Sequence, residues 1–160
     1  MSNIKFDFSY ETQEFFRVFE PSLDVRLWQK LVEEEIAEYH EAVADGDQVN
    51  RLKEAADVIY VMFPFDTMRF ALEEYGLLSD AYVTQSNELV RRADDVIRDA
   101  VMYYGVHAVK EAFKRVHQSN MSKLGDDGKP IRREDGKILK GPNYKAPDLT
   151  DIVLAVIDVV

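Results

Sequence analysis

Two successive helical segments carry carboxylates where an amphipathic helix needs apolar side chains, and no other feature constrains the chain as much. Residues 24–44 contain neither Pro nor Gly and plot on a helical wheel at about 100° per residue. Val25, Val32, Ile36, Tyr39 and Val43 form an apolar band, which Trp28, Ala42, Leu31 and Leu27 continue on one side. Glu35 falls between Trp28 and Ala42, and Glu38 between Leu31 and Leu27. Glu34 lies just beyond Leu27, whereas Arg26, Lys30, Glu33 and Glu41 gather on the arc that reads as solvated. In the next segment Glu54 shares a stripe with Val58, Val61 and Phe65, with Asp57 at its edge. The opposite side carries Leu52, Ala56, Ile59 and Phe63, and a helix apolar on two sides is expected at the centre of its bundle.

Carboxylates at i and i+3 on one helix, repeated on its neighbour, let two antiparallel helices aim four acids at one point. Unpaired inside a bundle, such charges are costly to desolvate, so something positive is expected among them. One source is a Lys or Arg from a neighbouring helix, with exposure of Glu35 and Glu38 as the other bland reading. Two pairs both phased inward favour a bound ion. An all-oxygen donor set, with no His at coordinating spacing, suits a hard cation, Mg²⁺ or Mn²⁺. Because Mg²⁺ usually combines one or two carboxylates with substrate phosphates, the arrangement points to a nucleotide or polyphosphate.

The charge distribution agrees. The 160 residues carry 30 acids and 20 Lys or Arg, a net charge of −10, which argues against non-specific nucleic-acid binding. Residues 114–145 run the other way, with nine Lys or Arg against four acids. An acidic body with one basic segment suits a polyphosphate held to carboxylates through a cation; a solvated loop is the plainer alternative. There is no Cys, which excludes disulfides, thiolate metal sites and cysteine nucleophiles and fits a reducing compartment. No stretch approaches the ~20 apolar residues of a membrane helix, and the start lacks the pattern of a signal peptide, so a cytoplasmic protein without membrane partners is expected.

Local signals predict an all-α fold, a four- to five-helix bundle in a single domain over 1–160. Ser9 is a plausible N-cap for a helix through Phe19, stopped by Pro21. A second helix spans residues 24–44 and closes at Asp45-Gly46. A third runs from near Asp47 to about Tyr75, kinked or divided at Pro64. Ser79 can cap a fourth to Tyr104, and Gly105 separates it from a fifth ending near Met121. No stretch alternates with period two for long enough to argue a sheet. Residues 122–148 hold four Gly and three Pro, and a loop of that length is functional or disordered. Ile138, Leu139 and Tyr144 give it apolar anchors, so an ordered lid is expected. Residues 151–160 read as either a short helix capped by Asp148 or a strand.

Several chemistries are absent. There is no GxxxxGK[ST], no GxGxxG and no GxSxG. His40, His107 and His117 fall on different elements with no His-Asp dipeptide, which disfavours a histidine-rich nucleotide hydrolase.

The acidic pattern Glu35-x-x-Glu38, fifteen residues, then Glu54-x-x-Asp57, resembles the signature of the all-α nucleoside triphosphate pyrophosphohydrolases, the MazG-like and phosphoribosyl-ATP pyrophosphohydrolase group. The run HQSNMSKLGDDGKPIRREDGKILKGPNYKAPDL is similar to the phage and bacterial branch of that group, including phage enzymes of the MazZ type. The resemblance implies Mg²⁺- or Mn²⁺-dependent hydrolysis of a (deoxy)nucleoside triphosphate to a monophosphate and pyrophosphate, with dGTP or dATP favoured. It further implies Glu35, Glu38, Glu54 and Asp57 as metal ligands, with Glu34 orienting or deprotonating the water. Asn120 and Lys123 would contact sugar or phosphate, Lys140 and Tyr144 would close over the substrate, and Trp28 could stack on the base. A homodimer or homotetramer is also implied, in the host cytoplasm if the protein is phage-encoded. The competing readings are a housecleaning enzyme for dUTP, dCTP or damaged nucleotides, and a non-catalytic helical interaction module.

Overall fold

A computed structural model describes residues 8–157. The described residues fold as six helices, α1 Ser9–Phe19, α2 Val25–Asp45, α3 Gln48–Glu74, α4 Asp80–Tyr104, α5 Val106–Met121 and α6 Thr150–Ile157. The fold is all-α, as the patterning predicts. Its only strands among the described residues, β1 Ile131–Arg132 and β2 Ile138–Leu139, make one antiparallel hairpin in the loop between α5 and α6.

Caps set most of the boundaries. Asp24 accepts from the Arg26 amide at the start of α2, Asp47 from the Asn50 amide at the start of α3, and Ser79 from the Tyr82 amide at the start of α4. Gly46 closes α2 in the left-handed region with φ 71°, where a side chain would be strained. Two expectations need correction, and one alternative is resolved. Phe8, not Ser9, occupies the N-cap of α1, with no side-chain cap bond. Pro64 does not divide α3, which runs on to Glu74. The C-terminal segment is a helix over Thr150–Ile157, with Asp148 accepting from the Thr150 amide; residues 158–160 lie outside the described set.

One core draws on all six helices and on Ile138 of β2. As its two apolar sides imply, α3 packs against each of the other five helices. Leu52, Ala56, Ile59, Val58, Val61 and Phe65 are buried, but Phe63 is 44% exposed and Val43 of α2 is 41% exposed. Both are in phase with their bands, so periodicity alone did not reveal their exposure. Phe15, Phe19, Tyr60 and Phe113 stack or meet edge to face between α1, α3 and α5. Among the described residues no helix is long and apolar enough to cross a membrane.

The α5–α6 connection is held on the bundle by specific contacts. Arg132 donates to the carbonyls of Phe19 and Glu20 at the end of α1. Lys30 of α2 pairs with Asp135 at 3.1 Å. Gly136 turns the hairpin at φ 94° against Ser22 and Leu27, and a Cβ there would come within 3.3 Å of Ser22 Cβ. Gly141 passes so close to the exit of α5 that a Cβ would lie 2.5 Å from the Leu124 carbonyl oxygen.

Candidate active site

The two-residue turn after α2 folds α3 back along it, and the two acidic pairs meet. Glu35, Glu38 and Glu54 each offer an oxygen within 4.8 Å of the others. Their surroundings differ sharply. Glu54 is buried at 4% exposure, Glu35 is half-buried, and Glu38 is exposed. Glu38 is the exposed member of the trio: on one side it faces Glu35 and the lysine-lined cavity, and on the other it rims an open depression with Glu41, Asp45 and Asp47.

Asp57 stands apart from this trio and has a partner that the wheel did not supply. Lys53 donates to Glu54 Oε1 at 2.9 Å and to Asp57 Oδ2 at 2.8 Å. Burial alone would lower the Lys53 pKa, but Asp57 and then Glu54 hold it above its ordinary value. One ammonium does not satisfy the cluster. Glu54 Oε2 is buried with no hydrogen-bond partner among the described residues, and burial leaves the Glu54 carboxyl raised despite Lys53. Glu35 is pushed up to about 8, first by burial and then by the charges of Asp57 and Glu38. An orphaned buried oxygen, two further carboxylates within reach of it, and a donor set made wholly of oxygens fit a hard divalent cation.

Lysines close the other side. Lys123 at the end of α5, Lys137 in the hairpin and Lys140 beyond it line one cavity with Glu35, Glu38, Lys53 and Asp57. Tyr144 joins that wall and carries the Lys140 ammonium 4.8 Å above its ring centre. Burial draws the Lys123 ammonium below its ordinary pKa, although Asp57 and Glu35 pull it up. A second cavity adjoins the first through Glu35, Asp57, Asn120, Lys123 and Lys137, and its remaining wall is mostly apolar, including Phe15, Trp28, Leu31 and Tyr60. The two cavities together make one continuous site, cationic and acidic at one end and aromatic at the other.

Glu34 does not join the carboxylate trio. Lys137 Nζ donates to its Oε2 at 2.6 Å, and Arg133 lies 3.5 Å from its Oε1. Burial raises the Glu34 pKa, but Lys137 and then Arg133 outweigh it and the net shift is downward. The carboxylate thus ties the hairpin to α2. Trp28 is 4% exposed, donates its indole N–H to the Ser22 carbonyl at 2.8 Å and stacks on Phe16. It presents one wall to the aromatic cavity from a fixed position.

The structure therefore brings Trp28, Glu35, Glu38, Glu54, Asp57, Asn120, Lys123, Lys140 and Tyr144 around adjoining cavities, with Glu34 tied to their wall through Lys137. Sequence reasoning missed Lys53, Lys137 and Tyr60. Lys53 was legible as the residue four before Asp57, the spacing of a helical ion pair. Lys137 was counted only as one charge in a basic run, and Tyr60 only as another apolar position.

The model of the phosphoribosyl-ATP pyrophosphohydrolase family matches residues 8–65. That family belongs to the MazG-like all-α nucleoside triphosphate pyrophosphohydrolase superfamily, and over these residues the chain is similar to it. The match covers α1, α2 and α3 as far as Phe65, and hence every carboxylate of the site; the lysine wall lies beyond it. No curated protein and no solved structure matches the chain significantly.

Proposed function

We propose that this pyrophosphohydrolase-type chain cleaves a nucleoside triphosphate between the α and β phosphorus, releasing a nucleoside monophosphate and pyrophosphate. The observation that carries the reading is the shared wall between a carboxylate–lysine cavity and an aromatic one. A base laid in the apolar cavity puts its phosphates among Lys123, Lys137 and Lys140, facing Glu35, Glu38 and Glu54. A purine deoxynucleotide, dGTP or dATP, is the preferred substrate in this reading; the adenine nucleotide in the matched family's name supports a purine.

Glu35, Glu38 and Glu54 would hold Mg²⁺ or Mn²⁺, with Asp57 adjacent. When bound, such an ion lowers the pKa of its water and offsets phosphate charge. The chain's own residues do the rest. The lysines neutralise the outer phosphate oxygens and the leaving pyrophosphate. Glu34 anchors Lys137 where it faces both the phosphates and the trio. The hairpin supplies part of the wall of both cavities through Lys137 and narrows the access of water to them. Water adds to the α phosphorus and releases a proton to solvent as the Pα–O–Pβ bond breaks, and the bridging oxygen leaves with pyrophosphate.

A panel of dGTP, dATP, dCTP, dUTP and phosphoribosyl-ATP, incubated with Mg²⁺ and resolved by anion exchange, tests this. Monophosphate and pyrophosphate from a purine substrate are expected. Nucleoside with triphosphate, or diphosphate with phosphate, would refute the reaction; a preference for dUTP or dCTP would refute the base assignment and favour a housecleaning role.

A further inference from the structure

Of the four lysines around the carboxylate–lysine cavity, only Lys53 stands on the helix whose carboxylates it touches, and the chemistry above gives it no part. Glu54 is its sequence neighbour and Asp57 lies one turn on. The backbone of α3 therefore sets the ammonium between them, 2.9 Å from Glu54 Oε1 and 2.8 Å from Asp57 Oδ2. The other three lysines are carried past the end of α5, in the connection to α6. Glu54 is divided by this arrangement. Its Oε1 meets the ammonium, whereas its Oε2 is buried without a hydrogen-bond partner among the described residues. The same carboxylate belongs to the trio with Glu35 and Glu38. Two places for positive charge thus flank Glu54: one within the trio, and one toward Asp57, where Lys53 sits.

We propose that Lys53 is a built-in cation that reserves the place between Glu54 and Asp57, so that the site takes one divalent ion, at Glu35, Glu38 and Glu54, and not two. Lys53 acts through these two carboxylates and is a positioning residue. Its ammonium suits the part. Two of its three hydrogens go to Glu54 and Asp57, which leaves the third for the cavity that Lys53 lines. An ion bridging the same two oxygens would have to shed water, which Mg²⁺ does reluctantly. It would also strand a mostly buried ammonium without partners, and an uncompensated buried charge is costly. The tether works in the same direction, because a cation attached to the same helix competes at a high effective concentration. Asp57 is therefore withheld from the metal and serves to hold the lysine, although its spacing from Glu54 suits a ligand. The divalent ion of the trio rests on the proposed function; the reservation of Asp57 by Lys53 does not.

Counting tightly bound Mn²⁺ by electron paramagnetic resonance, in protein first freed of metal with a chelator, tests this. The unmodified protein should hold one ion per chain and Lys53→Met two, and the added ion should be lost again when Asp57→Asn is combined with Lys53→Met. Lys53→Arg keeps the charge and should stay at one. Thermal melts give a second readout: Lys53→Met should melt lower in chelator and gain more from Mn²⁺ than the unmodified protein does. A merely structural ion pair would lower the melting temperature without adding an ion. Two tight ions in the unmodified protein, no added ion in Lys53→Met, or an added ion that survives Asp57→Asn would each overturn the proposal. If Lys53→Met does not fold, the unmodified protein and Lys53→Arg still decide, since one ion in each sustains the proposal and two in either overturns it. No ion in the unmodified protein but one in Lys53→Met would uphold the part given to Lys53 and refute the divalent ion of the proposed function; no ion in either would overturn both.

Discussion

Lys53 and Glu54 are sequence neighbours whose side chains meet at 2.9 Å, yet the second oxygen of Glu54 is buried with no partner. The chain satisfies one oxygen of this carboxylate, and in the proposed function the other is a metal ligand. Mg²⁺ should therefore raise Tm in a concentration-dependent way, by the mass action of a ligand that binds only the folded state. Glu54→Gln should lose most of that gain while its ion-free Tm is no lower, because a poorly satisfied charge has been removed. A Mg²⁺ response equal to that of the unmodified protein would exclude Glu54 as a ligand.

Glu35 gives the site a definite pH dependence. Its carboxyl is pushed up to about 8 in the folded chain from an ordinary value of 4.5. Between those values the folded state binds more protons than the unfolded one, so without an ion stability falls as pH rises from about 4.5 to about 8, then levels off. A bound cation displaces that proton, so the Mg²⁺-induced gain in Tm should grow across the same window. Melting curves in chelator and in Mg²⁺ from pH 5 to 9 check this, and Glu35→Gln should flatten the chelator series. Parallel series would contradict it.

Lys137 joins the hairpin to α2 through Glu34 at 2.6 Å, with both side chains about a quarter exposed. Such a pair contributes little to stability, about 0.5 kcal/mol. Its larger role is to keep an ammonium over the phosphates. Lys137→Met should leave Tm nearly unchanged but raise KM for the triphosphate by about tenfold, equivalent to ~1.4 kcal/mol. Glu34→Gln should show the same pattern more weakly. A lost kcat with unchanged KM in Glu34→Gln would instead mark Glu34 as acting on the water.

Gly141 lets the loop cross the end of α5, where a Cβ would collide with backbone carbonyls at 2.5 and 2.8 Å. Backbone cannot turn aside as a side-chain tip can, so Gly141→Ala should cost ~1–3 kcal/mol. It should also weaken substrate binding by shifting Lys140 and Tyr144. A thermal melt and a KM measurement decide this; wild-type values for both would show that the loop is not seated by that crossing.

The helices were legible because their signals are local. Asp24, Asp47 and Ser79 cap where their side chains and the periodicity of the following residues agree, and Gly46 and Gly105 end helices at positive φ. The acidic phasing was legible for the same reason, since positions 35, 38, 54 and 57 are fixed by two helices and one short turn. What stayed hidden depends on tertiary approach. Glu38 sits in the right phase, but its exposure at the edge of the trio depends on what packs above it and not on the wheel. Glu34 was read by its neighbours on the wheel, whereas its partner Lys137 lies a hundred residues away. The hairpin has only two residues in each strand, too few for alternation to register. His117 looked isolated in sequence because Glu14 and Tyr60 reach it from two other helices.

The central claim is that a carboxylate trio and a lysine wall together direct water to the α phosphorus of a nucleoside triphosphate. The most direct measurement is hydrolysis of dGTP with Mg²⁺ in ¹⁸O-labelled water, with both products weighed by mass spectrometry. The account predicts one label in dGMP and none in pyrophosphate, with turnover abolished in Glu38→Gln. Label in pyrophosphate, or undiminished turnover in that variant, would contradict it.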